Sequence, residues 1–162
     1  MTDKQLFVTQ IADTPSATSA HNDTLGDIRW VGNKCYKYVK LAEGAIAVVA
    51  GVALHYLATP AAGYNVNIVT ADVSTADTIP IAAGVSISAP ADTNHFWMQI
   101  KGAATLLAST NVTGTPSAGQ GVQSGATDSD FAVNAGVGAG VDAKLQIGAM
   151  LSTTVINLDC MY

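Results

Sequence analysis

The chain has 162 residues, of which 49% are hydrophobic and only 12% charged, and its net charge is −5. That apolar content excludes a disordered chain, and the acidic balance excludes a general nucleic-acid coat, whose affinity rests on neutralising phosphates. An average soluble chain carries about twice this charge, so a strand-patterned, Ala/Gly/Thr-rich chain of this kind predicts a protein covered by neighbours on more than one side.

The length suits one domain with an arm, and a core of that size forms without staples. Residues 1–24 read as an N-terminal arm, and 25–162 as a single β domain with a loop-rich insertion over 109–140. In the arm, Leu6, Phe7, Val8 and Ile11 form a small apolar anchor. The following Thr14-Pro15-Ser16-Ala17-Thr18-Ser19-Ala20 has turn chemistry and little periodicity. Such a segment frays in isolation or orders against another subunit. The first five residues show no secretory-signal pattern, which points to synthesis in a cytoplasm.

The clearest local signal comes next. Residues 27–31 and 34–41 flank Gly32-Asn33 and predict a β-hairpin, because Gly accepts a positive φ in a two-residue loop at no steric cost. That loop sets Trp30 opposite Cys35 and Arg29 opposite Tyr36. One face then carries Ile28, Trp30, Cys35, Val39 and Leu41, with Lys37 as the exception, and belongs on a core. The other carries Asp27, Arg29, Lys34, Tyr36, Tyr38 and Lys40. Arg and Tyr are enriched at protein interfaces, so this face reads as a docking surface, ahead of a solvated charged face or a phosphate-binding one. Arg29 beside Tyr36 predicts a cation–π contact of about 0.5–1 kcal/mol.

Further strands are expected at 45–49 and 52–58, apolar on both faces, and at 64–70, where Tyr64, Val66 and Ile68 alternate with asparagines. Reading 44–63 as two buried strands also disposes of it as a membrane span: it is uncharged and long enough, yet Gly51, His55, Tyr56 and Pro60 interrupt it. Pro80 marks an edge or a strand start near 79–81, and Val85 and Ile87 alternate with serines. Over 95–101, Phe96, Met98 and Ile100 oppose His95, Trp97, Gln99 and Lys101. More strands are expected at 103–108, 118–123 and 130–134; 143–151 admits a helix, but Gly148 and the alternation of Leu145, Ile147, Ala149 and Leu151 favour a strand, and at the end Thr154, Ile156, Leu158, Cys160 and Tyr162 alternate with Val155, Asn157, Asp159 and Met161. Many short strands punctuated by Gly and Pro predict an all-β sandwich or barrel of antiparallel strands.

Motifs for chemistry are weak. His21, His55 and His95 lack metal-ligand spacing. Asp128 and Asp130 share an extended loop but not the rest of a calcium pattern. Residues 138–143 fit a loose G-x-G-x-x-A with neither a strong strand before it nor a helix after. Cys35 and Cys160 have no CxxC spacing and read as free thiols; a disulfide requires the last strand to pair beside the first hairpin. No catalytic residue, cofactor or metal is expected.

The run 25–40 (Leu-Gly-Asp-Ile-Arg-Trp-Val-Gly-Asn-Lys-Cys-Tyr-Lys-Tyr-Val-Lys), the apolar run 44–52 and the aromatic strand His95-Phe96-Trp97-Met98-Gln99-Ile100-Lys101-Gly102 resemble head decoration, or cement, proteins of tailed bacteriophages. The resemblance implies a β-rich virion structural protein, a homotrimer, bound to the major capsid protein on the outer surface of the head and stabilising the shell, with no nucleic-acid or membrane partner. Partner contacts are then expected from Phe7, Ile11, Asp27, Arg29, Lys34, Tyr36, Tyr38, Lys40 and Trp97. Two alternatives stand beside it: a tail or fibre-base protein of the same pattern, and a small β-barrel enzyme or ligand-binding domain, which needs polar groups converging in a pocket, such as His55 with Asp72 or Asp92.

Overall fold

The structure, a computed structural model, describes residues 7–20, 22–42, 44–59, 63–73, 81–108, 111–133 and 146–160. Its eleven strands, with no helix among the described residues, are β1 (Ile28–Val31), β2 (Lys34–Leu41), β3 (Ala53–Thr59), β4 (Gly63–Thr70), β5 (Ala82–Ser86), β6 (His95–Thr105), β7 (Val112–Thr113), β8 (Gly121–Ser124), β9 (Phe131–Val133), β10 (Gly148–Met150) and β11 (Val155–Asp159). The pairing β2-β4-β3-β5-β6 returns from β6 to β2 and closes a five-stranded barrel. All of its pairings are antiparallel except β2–β4. The protein is therefore an all-β barrel with additional strands.

Apart from β1, which pairs with β2, the extra strands grow from one barrel strand. The first part of β6 pairs with β2 and β5; its last residues, from Lys101 onward, pair with β11, which leads on to β10, β8, β9 and β7. β6 turns from one layer into the other at Gly102, whose φ of +87° an L side chain resists and whose added Cβ would lie 2.7 Å from the Asn33 carbonyl oxygen. Gln99 secures the bend: its buried amide donates to the carbonyls of Lys101, Gly102 and Ala103 at 3.0–3.1 Å. One continuous apolar core, from Val39, Leu54, Phe96 and Met98 to Phe131, Met150, Ile156 and Leu158, fills the barrel and the space beneath the second sheet.

The first hairpin forms in the predicted register, with Trp30 opposite Cys35 and Arg29 opposite Tyr36. Its faces need one correction. Trp30, expected on the core, is 57% exposed. β1 and β4 occupy successive stretches of the same edge of β2, so β1 stands past the end of β4, outside the closed ring, and neither of its faces is sealed. Lys37 does turn inward, 4% exposed, with its Nζ 5.2 Å from the centre of the Tyr56 ring. Burial lowers its pKa.

Elsewhere the strand at 45–49 is absent: 44–51 is a run of turns and irregular backbone. Gly44 (φ +65°) and Gly51 (φ +89°) bend the chain there, and Gly51 lies so close to Leu107 that it donates to Ser86 and accepts from the Leu107 amide. The strands expected at 95–101 and 103–108 are one, ending at Thr105. Around 85–87 the alternation fails, since all five residues of β5 are buried. The described residues of the 109–140 stretch carry three short strands, including an unanticipated β7. Ile79, Pro80 and the G-x-G-x-x-A run lie outside the described residues. No helix among the described residues is long and apolar enough to cross a membrane.

Candidate functional site

The face expected to dock a partner is the outer wall of the barrel formed by β2 and β6, and the structure brings most of its residues together. In the β2–β6 ladder Tyr38 lies opposite Trp97 and Lys40 opposite His95. Tyr36, Tyr38 and Trp97 form a second apolar cluster, on the other side of the barrel wall from the main core. The Tyr38 and Trp97 rings lie 5.0 Å apart, and His95 meets Tyr38 edge-on at 5.8 Å. Trp97 and Tyr38 are fully buried, Tyr36 nearly so.

What covers them is the chain's own arm. Phe7 stands edge-on to Trp97 with ring centres 5.2 Å apart, and Ile11, Leu25 and Ile87 pack around the cluster. The Arg29 guanidinium lies 5.1 Å from the Phe7 ring centre and 6.0 Å from that of Trp97, so its cation–π partners are these rings; the contact expected with Tyr36 is replaced by the arm. Arg29 Nη1 also donates to the Thr9 carbonyl at 3.1 Å.

Thr9, which the sequence reading passed over, is the polar centre of this seam. Its hydroxyl accepts from Trp97 Nε1 at 2.9 Å and donates to the Asp23 carboxylate, and its amide donates to the same carboxylate at 2.9 Å. The Val8 amide donates to the other Asp23 oxygen at 2.8 Å. Burial acts to raise the Asp23 pKa; the Thr9 hydroxyl, the two amides and the Arg29 charge outweigh it, and the carboxyl sits below its ordinary value. Asn22 donates to the Ser16 and Ser19 carbonyls at 3.0 and 3.1 Å and accepts from the Tyr38 hydroxyl at 3.1 Å. Burial drives the Tyr38 pKa up to about 12, so the hydroxyl stays a donor. The arm thus doubles back as a loop closed between Thr9 and Asp23, in the manner of an Ω-loop. Its only signal in the sequence was a Thr and an Asp fourteen residues apart, which no short-range rule connects.

The remaining expected residues divide. Asp27 is half-buried and structural: its carboxylate accepts from the Thr24 amide at 3.1 Å and its carbonyl from the Tyr38 amide at 2.9 Å. Lys34 and Lys40 are half-buried, and Lys40 adds to burial in lowering the His95 pKa. The exposed apolar surface of this region is at the hairpin end instead: Trp30 at 57% and Val31 at 46%, beside Gly32-Asn33, on the terminal strand of the sheet order.

His55, Asp72 and Asp92, expected to converge in a pocket-based chemistry, lie on β3, just after β4 and just before β6. His55 is buried on β3, edge-on to Phe131, with no hydrogen bond to either ring nitrogen, and burial lowers its pKa to about 4 while the Asp128 charge acts weakly the other way. Asp72 accepts from the Ala45 amide at 2.9 Å, and Asp92 is exposed and accepts from the Thr93 amide at 2.9 Å. Asp128 and Asp130 serve the fold, accepting from the Val73 amide at 2.7 Å and the Thr113 hydroxyl at 3.1 Å. Among the described residues no group of three His, Cys, Asp or Glu side chains is placed to hold a metal. An open pocket of about 310 Å³ lies on the second sheet between Gln146, Gly148, Ala149, Asn157 and Asp159. Cys35 and Cys160 are free and buried on opposite flanks of β6, because the last strand pairs with β6 and not beside the hairpin.

No protein-family model matches the chain, and no curated protein matches it significantly.

Proposed function

We propose that the chain is a virion structural protein that decorates the outer surface of a tailed-phage head, binding the major capsid protein as a homotrimer and stabilising the shell. The observation that carries this reading is the adjacency of two of its three resembling segments; the third, 44–52, is turns and irregular backbone. The hairpin over 25–40 and the aromatic strand from His95 are far apart in sequence, yet they form one hydrogen-bonded wall, β1-β2-β6. The exposed Trp30 and Val31 at the end of that wall supply the kind of aromatic anchor that protein interfaces use. A protein that binds only the assembled shell stabilises it by mass action, and trimeric binding adds avidity.

The test starts with mass spectrometry of purified phage particles for the chain and its copy number. Recombinant protein is then mixed with isolated heads and sedimented. The expected result is co-sedimentation with heads, greater heat tolerance of the shells, and loss of both with Trp30→Ala. Binding to tails in place of heads supports the tail or fibre-base reading, and binding to neither overturns a virion role.

A further inference from the structure

We propose that residues 7–20 and 22–24 belong to a detachable strap, latched at Thr9, which opens independently of the barrel and uncovers the Tyr36–Tyr38–Trp97 face. Three observations point the same way. First, the strap's described residues add no strand to the sheet. The hydrogen bonds seen between it and the barrel are single ones: Trp97 Nε1 to the Thr9 hydroxyl, Arg29 to the Thr9 carbonyl, Tyr38 to Asn22, Asn94 Nδ2 to the Thr14 carbonyl at 2.9 Å and the His95 amide to the Pro15 carbonyl at 2.9 Å. No ladder makes their rupture cooperative with that of the barrel.

Second, its apolar contacts are separate from the core. Phe7 and Ile11 touch the outer cluster, which the barrel wall divides from the main core, so lifting them leaves that core closed. Segments with few buried apolar contacts occupy the low end of a protein's local stabilities. Third, two of those five bonds meet on one residue. Thr9 is 6% exposed and joins Trp97, Arg29 and Asp23 at once, and the relay from the indole N–H through the hydroxyl to the carboxylate makes each bond depend on the next. When the latch parts, two tyrosines and a tryptophan face solvent on one wall. The inference stands on the fold alone and does not depend on the virion reading.

Hydrogen exchange of the whole protein, read by mass spectrometry, tests it. In the wild type, peptides from 7–20 are expected to exchange at least tenfold faster than those from β2 and β6, showing an opening separate from global unfolding. Thr9→Val keeps the side-chain volume and removes the hydroxyl; it is expected to speed exchange in 7–20 a further three- to tenfold with β3 and β5 unchanged. In a Trp30→Phe background, where Trp97 is the sole indole, acrylamide quenching is expected to rise in parallel. Equal exchange of strap and barrel in the wild type, or Thr9→Val speeding both alike, overturns the proposal. So does unchanged quenching of Trp97.

Discussion

β2 and β6 each carry two apolar faces, and the two are covered in different ways. Inward, Val39, Leu41, Phe96 and Met98 meet other strands whose backbones are joined in a closed ring. Outward, Tyr36, Tyr38 and Trp97 meet a strap without strands, held by a threonine, an aspartate and an arginine. Apart from Cys35 and Lys37, the inner side chains of the two strands are aliphatic or wholly apolar. Of the outer ones, Tyr38 and Trp97 carry an O–H or N–H that reaches a polar partner, as Tyr and Trp do where one end must stay hydrogen-bonded. The difference shows how one strand serves both a permanent core and a seam that can be undone. Closure makes every inner contact depend on all the others, whereas the outer contacts depend on a local latch.

That contrast can be broken from the inside first. Phe96→Ala empties a fully buried site in the main core and is expected to lower global stability by about 3–5 kcal/mol, read by chemical denaturation. A loss confined to the strap would erase the distinction between the faces. The next effect is on pH. His55 titrates near 6.5 when unfolded and at about 4 in the fold, so the native state binds the proton less readily. Its contribution is complete above pH 6.5, declines as pH falls toward 4, and is gone below; about 3 kcal/mol is at stake. Denaturation midpoints across that range are expected to flatten in His55→Phe, and an unchanged pH profile would show that the ring is not buried between the two sheets.

Tyr38→Phe sharpens the outer half of the comparison. It removes the hydroxyl bonded to Asn22 and leaves the ring on Trp97, so a cost of about 1 kcal/mol is expected, appearing as faster exchange in the strap. The smallest effect belongs to neither face. Lys101→Ala breaks an exposed cross-strand pair with Asp159 at 2.8 Å and is expected to cost less than about 1 kcal/mol, diminishing with added salt.

The sequence by itself determined the β class, the hairpin and its register, because alternation and a two-residue Gly-Asn loop are local signals that tertiary context has little room to override. It also placed Phe96, Met98, Ile100, Ile156 and Leu158 on the core side, since period-2 patterning survives wherever one face is sealed. The tertiary structure alone decided the rest. The closure of the barrel left β1 outside and turned Trp30 to solvent, and it fused two expected strands through a glycine bend. Small alanines between two positive-φ glycines read as a strand and became turns, because alternation cannot be seen where both faces look alike. The candidate site was legible as a cluster of aromatic and basic residues on one face, but not as a covered one. What covers it is an aperiodic segment whose Thr9 and Asp23 meet only after the chain has folded back on itself, and contacts of that range leave no trace in local spacing.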